Sequence, residues 1–387
     1  MREVVITAAL RTPVGKYRGT LSGVRADALG AVVLNGLLAR SGLRPGQIED
    51  VIFGCVTQVG EQSANIARTA LLAAGWPESI PGMTVDRKCG SSEAAVHIAA
   101  AMIASGARDI VIAGGAESMS RVRMGGNREI YGEAFGRHLV RRFDMVSQGE
   151  ASERIAERWG IGRDEMDRFA LSSHQRAAAA ADSGRFASQI VTVDLGQWSE
   201  SGDGSGIVTA DETIRRQTSL GKLAALQPSF RPDGHTTAGN ASQIADGAAG
   251  LLLMDRATAE QLGLRPLAIL RAGVTVGSDP TLMLTGPVEA TRQALSAASV
   301  ALGQVDLYEV NEAFAPVPLM WLRELGADPD RLNVNGGAIA LGHPLGGSGA
   351  RLMVTLIHEL HRRNALYGLQ TMCGAGGLGT ATVLERA

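Results

Sequence analysis

The chain has 387 residues, of which 45% are hydrophobic and 20% charged, and its formal net charge is −2. A disordered protein would have fewer apolar residues and a larger net charge, so this composition predicts a folded chain with more than one core. Aromatic residues make up only 4% and no long basic stripe is present, which argues against nucleic-acid binding. No apolar run reaches the ~20 residues that cross a bilayer, so no membrane association is expected.

The ends of the chain and its cysteines predict a cytoplasmic protein. The N-terminal stretch MREVVITAALRTPVG lacks the basic leader and cleavage site of a secretory signal, and the C-terminal LERA is not a peroxisomal signal. The three cysteines, Cys55, Cys89 and Cys373, are too few for a disulfide framework and odd in number. Paired zinc-ligand spacings are absent, so we expect no metal.

From the N-terminus onward, short β-like runs (VVIT, DVIFGCV, DIVIAG) alternate with helical stretches such as SSEAAVHIAAAMIASG. This alternation predicts an α/β fold with a sheet covered on both faces. The stretch that follows Cys89 is apolar nearly all round, which predicts a buried helix. Residues 118–237 break the pattern with Arg-rich, charged helical and Gly/Ser/Asp segments, so we expect an inserted loop domain there.

Two parts of the chain resemble each other at an offset of 257 residues. Residues 43–56 align with 300–313, and Gly90-Ser91 aligns with Gly347-Ser348. After a two-residue gap, the strand-like residues 109–115 align with 368–374. Each similarity is weak alone, but they agree in order and spacing. The sequence therefore predicts a duplicated unit.

Cys89 lies just before the predicted buried helix and is a candidate nucleophile. A cysteine at a helix N-terminus meets the positive end of the helix dipole and free backbone N–H groups, both of which stabilise a thiolate. Arg87 and Lys88 add positive charge beside it. The same stretch is equally consistent with a small cysteine buried at a tight turn.

His343 lies in the glycine- and alanine-rich segment 333–351, which is the repeat counterpart of the Cys89 loop. Small residues let the backbone approach another group closely. If equivalent loops meet at the axis of the duplication, the imidazole reaches the thiol. A lone histidine in a core is more often structural, so this geometry is a hypothesis.

Two further candidates follow β-like runs. Cys373 lies in a glycine-rich turn, and residues 374–379 match the spelling G-x-G-x-x-G. Only eight residues follow, which leaves no room for a dinucleotide-binding unit. Asn311, beside Glu312, is placed to position a water or to donate to an oxyanion, although loop capping explains this pair as well.

Six ordered segments together resemble the thiolase family across essentially the whole chain. They are the Cys89 segment, GGAESMSR (114–121), TAGNASQIADGAA (237–249), NEAFA (311–315), NVNGGAIALGHPLG (333–346) and the Cys373 segment. The resemblance implies a five-layered αβαβα fold with two similar core halves, residues 1–117 continued in 238–266 and residues 267–387. It assigns residues 118–237 to an inserted loop domain that binds coenzyme A. It also implies acyl-CoA substrates, coenzyme A as co-substrate, no permanent cofactor, and a homodimer or homotetramer.

The resemblance implies residue roles as well. Cys89 would attack the 3-keto carbon and become acylated, His343 would take or hold its proton, and Cys373 would protonate the departing acetyl-CoA enolate. One oxyanion site would consist of His343 and a water held by Asn311. The other would consist of the backbone N–H groups of Cys89 and Ala375. Coenzyme A would contact Arg215, Ala238, Ser242, Ala313 and Phe314.

Within the family, GEQSANIAR (60–68), VDRKCGSS (85–92) and SQGEASERIA (147–156) resemble bacterial degradative-type 3-ketoacyl-CoA thiolases, including those that degrade steroid side chains. Biosynthetic acetoacetyl-CoA enzymes of the family usually have His-Met-Gly where this chain has Ser147-Gln148-Gly149. The loss of that bulk predicts a pocket that accepts acyl chains longer than acetoacetyl.

Two other departures from the family pattern are Ser92 and Ala375, which stand where glycine is usual. The related ketoacyl synthases lack a second cysteine, so Cys373 argues against them. The alternatives that stay open are a short-chain acetoacetyl-CoA thiolase acting in biosynthesis and a non-catalytic acyl-CoA-binding protein of the same fold.

Overall fold

The structure, a computed structural model, describes residues 2–128, 132–200 and 205–387. The strands are β1 (Val4–Arg11), β2 (Gly15–Lys16), β3 (Asp50–Gly54), β4 (Gly82–Val85), β5 (Ile110–Ser118), β6 (Val193–Asp194), β7 (Ile207–Val208), β8 (Ala245–Asp255), β9 (Ala268–Gly277), β10 (Leu307–Val310), β11 (Tyr367–Gly374) and β12 (Leu378–Arg386). The helices are α1 (Ala26–Ser41), α2 (Ile66–Ala73), α3 (Ser91–Ala104), α4 (Arg137–Val140), α5 (Gln148–Trp159), α6 (Arg163–Asp182), α7 (Leu195–Trp198), α8 (Leu220–Ala224), α9 (Arg256–Gln261), α10 (Gly286–Ala298), α11 (Pro316–Leu325), α12 (Ala338–Leu341) and α13 (Ser348–Arg363).

The main sheet has two halves built in the same way. Its strand order is β10-β11-β12-β9-β1-β8-β5-β3-β4, and β2 pairs with β8 beside this path. In one half β3 is parallel to β5, and β5 is antiparallel to β8. In the other half β10 is parallel to β11, and β11 is antiparallel to β12. The predicted duplication is therefore confirmed: β3 corresponds to β10, and β5 to β11. The expected two-residue gap is wrong, since Asp50 pairs with Val111 and Leu307 with Gly368, so the offset stays at 257 residues in both strands.

The two halves join through a short seam between β1 and β9. These strands pair antiparallel over only two positions, Val5 with Ile269 and Ile6 with Ala268. Helices α3 and α13 contact each other and strands of both halves. The central helices thus connect the halves more extensively than the strand seam does.

Helices and sheet halves form five layers. Helix α1 packs on β1, β5 and β8 with α2 against it, and α10 packs on β9, β11 and β12 with α11 against it. Helices α3 and α13 form the middle layer, and the residues of their first turns are buried, including the charged side chains of Glu93 and Arg351. The predicted α/β fold with a duplicated five-layer αβαβα core is confirmed. Each helix in the described part of the chain is too short or too polar to span a bilayer.

Residues 118–237 contain α4 to α8 and the two-stranded sheet β6-β7. Helix α5 packs against α11 and α6 against α12, so this segment lies beside the second half. Ion pairs such as Arg231 with Glu150, 2.7 Å apart, join its loops to its helices. Residues 201–204 of the predicted Gly/Ser/Asp loop and residues 129–131 of the Arg-rich stretch lie outside the described residues.

Candidate active site

Cys89 is held two residues before the start of α3 by a tight turn. The preceding residue, Lys88, has a φ of 52°, a left-handed conformation that costs a non-glycine residue of order 1–3 kcal/mol. The hydroxyl of Ser91 fixes this turn, since it accepts the N–H of Arg87 at 2.8 Å and donates to the carbonyl of Lys88. Only 3% of Cys89 is exposed. The structure thus places Cys89 where the sequence predicts it, at the N-terminus of a buried helix.

The thiol of Cys89 is protonated in the resting site. Burial raises its pKa to about 11, and its own backbone N–H, the N–H of Ala375 and the charge of Lys88 lower it only in part. The N–H groups at the helix N-terminus favour the thiolate, as the sequence predicts, but desolvation of the charged sulfur outweighs these contacts in the resting protein. The same contacts aim the N–H groups of Cys89 and Ala375 at the sulfur.

Cys373 lies at the end of β11 and is buried in the same site. Burial raises the pKa of its thiol, and the neighbouring Cys89 raises it further. The chain then reverses between β11 and β12 through Gly376 and Gly377, whose φ angles of 87° and 81° lie in the left-handed region that favours glycine. This turn presents the N–H of Ala375 to the site, and Cys373 is a protonated thiol that can donate a proton.

His343 is a neutral imidazole with a defined tautomer. Burial and the positive charge of Arg351 lower its pKa to about 3. Its Nδ1 lies 2.6 Å from the hydroxyl of Ser348, which donates to the carbonyl of Pro344 at 2.8 Å. A hydroxyl has one proton, so Nδ1 of His343 carries the hydrogen and Nε2 is an acceptor. Nε2 faces Nδ2 of Asn311 at 3.4 Å and is the atom that can take a proton.

Asn311 follows β10 and is buried beside His343. Its Oδ1 finds no hydrogen-bond partner among the residues that the structure describes. A buried amide oxygen without a protein donor is a place where an ordered water binds. The adjacent Glu312 points elsewhere, since it accepts from Ser173 Oγ at 2.6 Å and from Asn333 Nδ2 at 2.9 Å. Asn311 therefore lies in the site, whereas Glu312 forms hydrogen bonds that hold the segment leading to His343 in place.

Sequence reasoning missed a buried carboxylate that joins the two halves of the site. Glu117, at the end of β5, accepts the backbone N–H groups of Val56 and Thr57 at 2.9 and 3.0 Å. It also accepts the N–H of Gly346 at 2.8 Å, just beyond His343. The sequence signal was the glutamate in GGAESMSR, but a single acidic residue at a strand end does not reveal which loops it binds.

Close backbone approach at this junction requires glycine. A Cβ at Gly115 would lie 2.1 Å from the carbonyl oxygen of Gly346. A Cβ at Gly346 would in turn lie 2.6 Å from the carbonyl oxygen of Gly54. These contacts seat the His343 loop directly on the ends of β3 and β5, as the small residues of the segment predict.

A cavity of about 290 Å³, here called the cysteine cavity, opens on Cys89. Segment 147–149 lies on its wall, as does Phe230, which meets Phe314 edge to face at 5.9 Å. A Cβ at Gly149 would lie 2.1 Å from the Phe230 ring, so the aromatic ring sits directly on this glycine. The cavity is lined by Val56, Thr57, Lys88, Cys89, Met124, Gly125, Asn127, Arg128, Ser147, Gln148, Gly149, Phe230, Phe314, Leu345 and Ala375.

Four of the five residues predicted to contact coenzyme A lie on two paired loops. The N–H of Ser242 donates to the carbonyl of Ala313 at 2.9 Å, and Ala241 pairs with Phe314. Ala238 lies four residues before Ser242 on the same loop. Since Phe314 also lines the cysteine cavity, these loops lead directly to it.

The fifth residue, Arg215, lines a separate cavity of about 460 Å³, here called the arginine cavity. Arg216 and Lys222 lie on the same wall, and Leu223 forms part of its apolar side. A Cβ at Gly239 would lie 2.6 Å from the side chain of Leu223. The arginine cavity therefore adjoins the loop that carries Ala238 and Ser242.

Ser92, the second departure from the family pattern, has a hydroxyl that forms a hydrogen bond which glycine could not form. Its buried hydroxyl accepts the N–H of Ala350 at 2.9 Å and so joins α3 to α13. The third cysteine, Cys55, is buried against Glu117 and does not line the cysteine cavity. In the part of the chain that the structure describes, no three His, Cys, Asp or Glu side chains gather as metal ligands.

A duplicated five-layer core with two thiols and a neutral imidazole at its centre defines an acyl-transferring enzyme that works through cysteine. Residues 4–257 match the sequence profile of the thiolase N-terminal domain, and residues 264–386 match that of the thiolase C-terminal domain. The chain belongs to the thiolase family.

Individual relatives agree over their full length. The chain is 45% identical to a steroid 3-ketoacyl-CoA thiolase of Mycobacterium tuberculosis, covering 100% of this chain and 95% of that protein. It is 44% identical to a 3-ketoacyl-CoA thiolase of Bacillus subtilis over 100% of both chains. The crystal structure of the Bacillus anthracis acetyl-CoA acetyltransferase superimposes with a TM-score of 0.91, at 39% identity, over 100% of this chain and 99% of that one.

The protein is therefore a thiolase, an acyltransferase that acts on coenzyme A thioesters. The predicted activity, cleavage of 3-ketoacyl-CoA by coenzyme A or the reverse condensation, is confirmed at this level. A non-catalytic acyl-CoA-binding protein is not favoured.

The resting protonation states predict how alkylation depends on pH. We expect iodoacetamide to modify Cys89 before Cys55, because Cys89 opens on a cavity and both burial and Glu117 raise the pKa of Cys55 further. Since the pKa of Cys89 is about 11, its thiolate fraction and alkylation rate should rise about tenfold per pH unit from pH 7 to pH 10. Peptide mass spectrometry at each pH, with acyl-CoA as a protecting ligand, measures this. A plateau below pH 8, or loss of activity in step with Cys55 labelling, contradicts it.

Proposed function

We propose that this thiolase is a degradative-type enzyme that cleaves 3-ketoacyl-CoA through an acyl-Cys89 intermediate. The observation that carries the proposal is the convergence of two N–H groups, those of Cys89 and Ala375, on the Cys89 sulfur beside a second buried thiol, Cys373. A nucleophile, a proton donor and an oxyanion site then occupy one small space.

The first step forms a carbon–sulfur bond. As the sulfur of Cys89 attacks the 3-keto carbon, its proton passes to Nε2 of His343. The keto oxygen becomes an oxyanion beside the N–H groups of Cys89 and Ala375, and each well-placed donor contributes roughly 3–4 kcal/mol to transition-state stabilisation. Because the thiol gives up its proton as the carbon–sulfur bond forms, no free thiolate is needed in the resting site, and the oxyanion contacts must offset the unfavourable transfer of that proton to His343.

The second step breaks the bond between the 2- and 3-carbons. The leaving acetyl-CoA enolate places its negative oxygen beside protonated His343 and a water on Oδ1 of Asn311. Cys373 then protonates the enolate carbon as general acid and becomes a thiolate. Acetyl-CoA leaves, and the shortened acyl group remains on Cys89.

The last step restores the enzyme. The Cys373 thiolate takes the proton of incoming coenzyme A, and the coenzyme A sulfur attacks the acyl carbon. Cys89 leaves as a thiolate and recovers its proton from His343. The proton of Cys89 thus returns from His343, the proton of Cys373 leaves on acetyl-CoA and is replaced by that of coenzyme A, and no redox cofactor takes part in the cycle.

Coenzyme A would lie across both cavities. The arginine cavity supplies positive charge from Arg215 and Lys222 that suits the phosphates of the nucleotide, whereas Arg216 is paired with Asp182 at 2.8 Å. The paired loops that carry Ala238, Ser242, Ala313 and Phe314 would hold the pantetheine arm and direct its sulfur to Cys89. This arrangement supports residues 118–237 as the inserted coenzyme A-binding unit, between core halves at 1–117 with 238–266 and at 267–387.

We further propose a cytoplasmic homodimer or homotetramer. The three cysteines are all free, which suits a reducing compartment. Strand β4 forms one edge of the main sheet and its residue Met83 is 38% exposed, so this edge is available to a second copy. Light scattering on the purified protein measures the number of copies.

Chain-length preference tests the degradative assignment. We expect higher kcat/KM for 3-ketoacyl-CoAs longer than acetoacetyl-CoA, because Ser147-Gln148-Gly149 leaves one wall of the cysteine cavity without bulky side chains. Two further buried methylenes, each worth about 0.8 kcal/mol, raise kcat/KM by roughly tenfold if that binding is expressed in the transition state.

The experiment compares four-, six-, eight- and ten-carbon 3-ketoacyl-CoAs at fixed coenzyme A, following loss of the Mg²⁺-enolate absorbance. A rise from four to six or eight carbons supports the proposal. A steady fall from four carbons onward identifies the protein instead as a short-chain acetoacetyl-CoA thiolase.

A further inference from the structure

Glu93 is a fully buried acidic side chain that takes no part in the steps described above. It lies in the first turn of α3, four residues after Cys89, and none of its surface is exposed. A buried carboxylate loses its hydration, and hydrogen bonds or an ion pair must offset that loss. The groups that bind the carboxylate of Glu93 therefore indicate its role.

The partners of Glu93 lie on the two strands that form the opposite side of the site. Its Oε2 accepts the hydroxyl of Thr380 at 2.5 Å, and its Oε1 accepts that of Thr382 at 2.6 Å, both on β12. The side chain of Gln370, on β11, forms a further hydrogen bond with the same carboxylate. A single side chain thus joins α3 to both strands of the β11–β12 hairpin.

These contacts lie close to both catalytic thiols. Thr380 follows directly after the residue of β12 that pairs with Cys373. A Cβ at Gly90 would lie 2.9 Å from Oγ1 of Thr380. The hydroxyl that donates to Glu93 therefore also packs against the turn that carries Cys89.

His97 continues the network one turn further along α3. Oγ1 of Thr382 has one proton and donates it to Glu93, so Nε2 of His97, 2.8 Å from that oxygen, is a donor to it. A Cβ at Gly273 on β9 would lie 2.4 Å from the imidazole, so the ring has little room to turn. Burial and the charge of Arg87 lower the pKa of His97 to about 4, and the imidazole is neutral. The network thus holds the proton of Thr382 towards Glu93.

We propose that Glu93 is a positioning residue that fixes the separation between the two catalytic thiols. The inference rests on the proposed function, in which Cys89 carries the acyl group and Cys373 supplies a proton. Cys89 lies at the start of α3, whereas Cys373 lies with the N–H donor Ala375 on the hairpin. A displacement of about 1 Å between groups that act on one substrate can cost on the order of 100-fold in rate.

The ionisation of Glu93 gives this role a pH dependence that apolar packing would lack. Burial raises the pKa of Glu93 to about 7, although the hydrogen bonds from the hairpin lower it. Above pH 7 the carboxylate accepts all of its donors, whereas below pH 7 its own proton competes with them. The contact between α3 and the hairpin should therefore weaken as the pH falls. The groups that face the carboxyl are uncharged, and they are Thr380 and Thr382 on β12, Gln370 on β11, neutral His97 on α3 and the backbone of Gly349 on α13.

Two variants of Glu93 test the inference by their kinetics. Glu93→Leu has a similar size but no accepting oxygens, so kcat for thiolysis should fall by about 10- to 100-fold while KM for coenzyme A stays within about threefold. Glu93→Gln keeps one accepting oxygen and should lose less than about tenfold. The wild-type kcat should fall between pH 8 and pH 6, and Glu93→Gln should lack the part of this fall that Glu93 causes, because an amide does not titrate.

A trivalent arsenical reports the separation of the thiols without turnover. Phenylarsine oxide forms two arsenic–sulfur bonds, with loss of water, only when two thiols lie close together. The wild-type enzyme should bind it, and Cys373→Ser should not. Glu93→Leu should bind it about tenfold more weakly, since the binding depends on the alignment of both sulfurs.

Glu359→Leu is the matched control. Glu359 is a buried glutamate near the end of α13 whose partners, Arg362 and Arg363, lie on the same helix. Its replacement should leave kcat and arsenical binding unchanged, and thermal unfolding compares the stability of all the variants.

A Glu93→Leu enzyme with the wild-type kcat, or one that loses rate without losing arsenical binding, overturns the inference. A wild-type enzyme that does not bind the arsenical also overturns it. If Glu93→Leu fails to fold, Glu93→Gln decides, and a pH profile identical to that of the wild type counts against the inference. A wild-type enzyme that forms no acyl group on Cys89 refutes the proposed function instead, whatever the Glu93 variants do.

Discussion

Replacing Cys373 with serine is expected to separate the two halves of the reaction. Overall thiolysis should fall by about 10²–10⁴-fold, the usual loss when an acid–base group is removed. Acetylation of the enzyme by acetyl-CoA should be slower but should still occur, because coenzyme A can leave as a thiolate without a proton from residue 373, and the Cys89 sulfur and the two N–H groups aimed at it are unchanged. Steady-state rates together with quenched-reaction mass spectrometry measure both quantities.

Two other cysteine variants calibrate this result. Cys89→Ser should give little or no acyl-enzyme under the same conditions. Cys55→Ser should retain activity, since Cys55 is buried outside the cysteine cavity. A Cys373→Ser enzyme that turns over normally, or one that has lost acetylation as completely as Cys89→Ser, would rule out the division of roles proposed for the two thiols.

Replacing His343 with alanine is expected to lower kcat/KM by about 10³–10⁵-fold. The variant loses a general base, worth about 10²–10⁴, and an oxyanion donor, worth about 10²–10³, and such losses are not additive. Rates of the wild-type and variant enzymes from pH 6 to 9 measure this loss. Because the pKa of His343 is about 3, its protonation should not change the wild-type rate in that range.

Ser348→Ala serves as the control for His343. It removes the acceptor that holds Nδ1–H but leaves the imidazole in place, so the expected loss is smaller, about tenfold. Thermal unfolding of both variants detects any general damage to the fold. A His343→Ala enzyme within tenfold of the wild type would exclude His343 as the proton acceptor.

The fold was predictable because its signals are local and repeated. The alternating β-like and helical runs predict the sheet and its covering helices. The similarity at an offset of 257 residues predicts the duplication, and the largely apolar stretch after Cys89 predicts a buried middle helix. The meeting of the Cys89 and His343 loops followed from the same duplication. Small residues at Gly115 and Gly346 make that meeting possible.

The protonation states and the supporting contacts were not predictable. Helix position alone favours a thiolate at Cys89, but the depth of burial that raises its pKa depends on the surrounding tertiary structure. The same holds for His343, whose pKa is lowered first by its burial and then by the charge of Arg351 on the neighbouring helix. Glu117 contacts residues far away in sequence, and no spacing rule reveals such a contact.

The position of the acyl group tests the central claim most directly. The wild-type enzyme is mixed with acetyl-CoA without coenzyme A, quenched in acid within seconds, digested and examined by mass spectrometry. The mechanism predicts one acetyl group, carried by the peptide that contains Cys89, and its removal when coenzyme A is added before the quench. An acetyl group on Cys373, or a turnover-competent enzyme with no acetyl group on either cysteine, would contradict it.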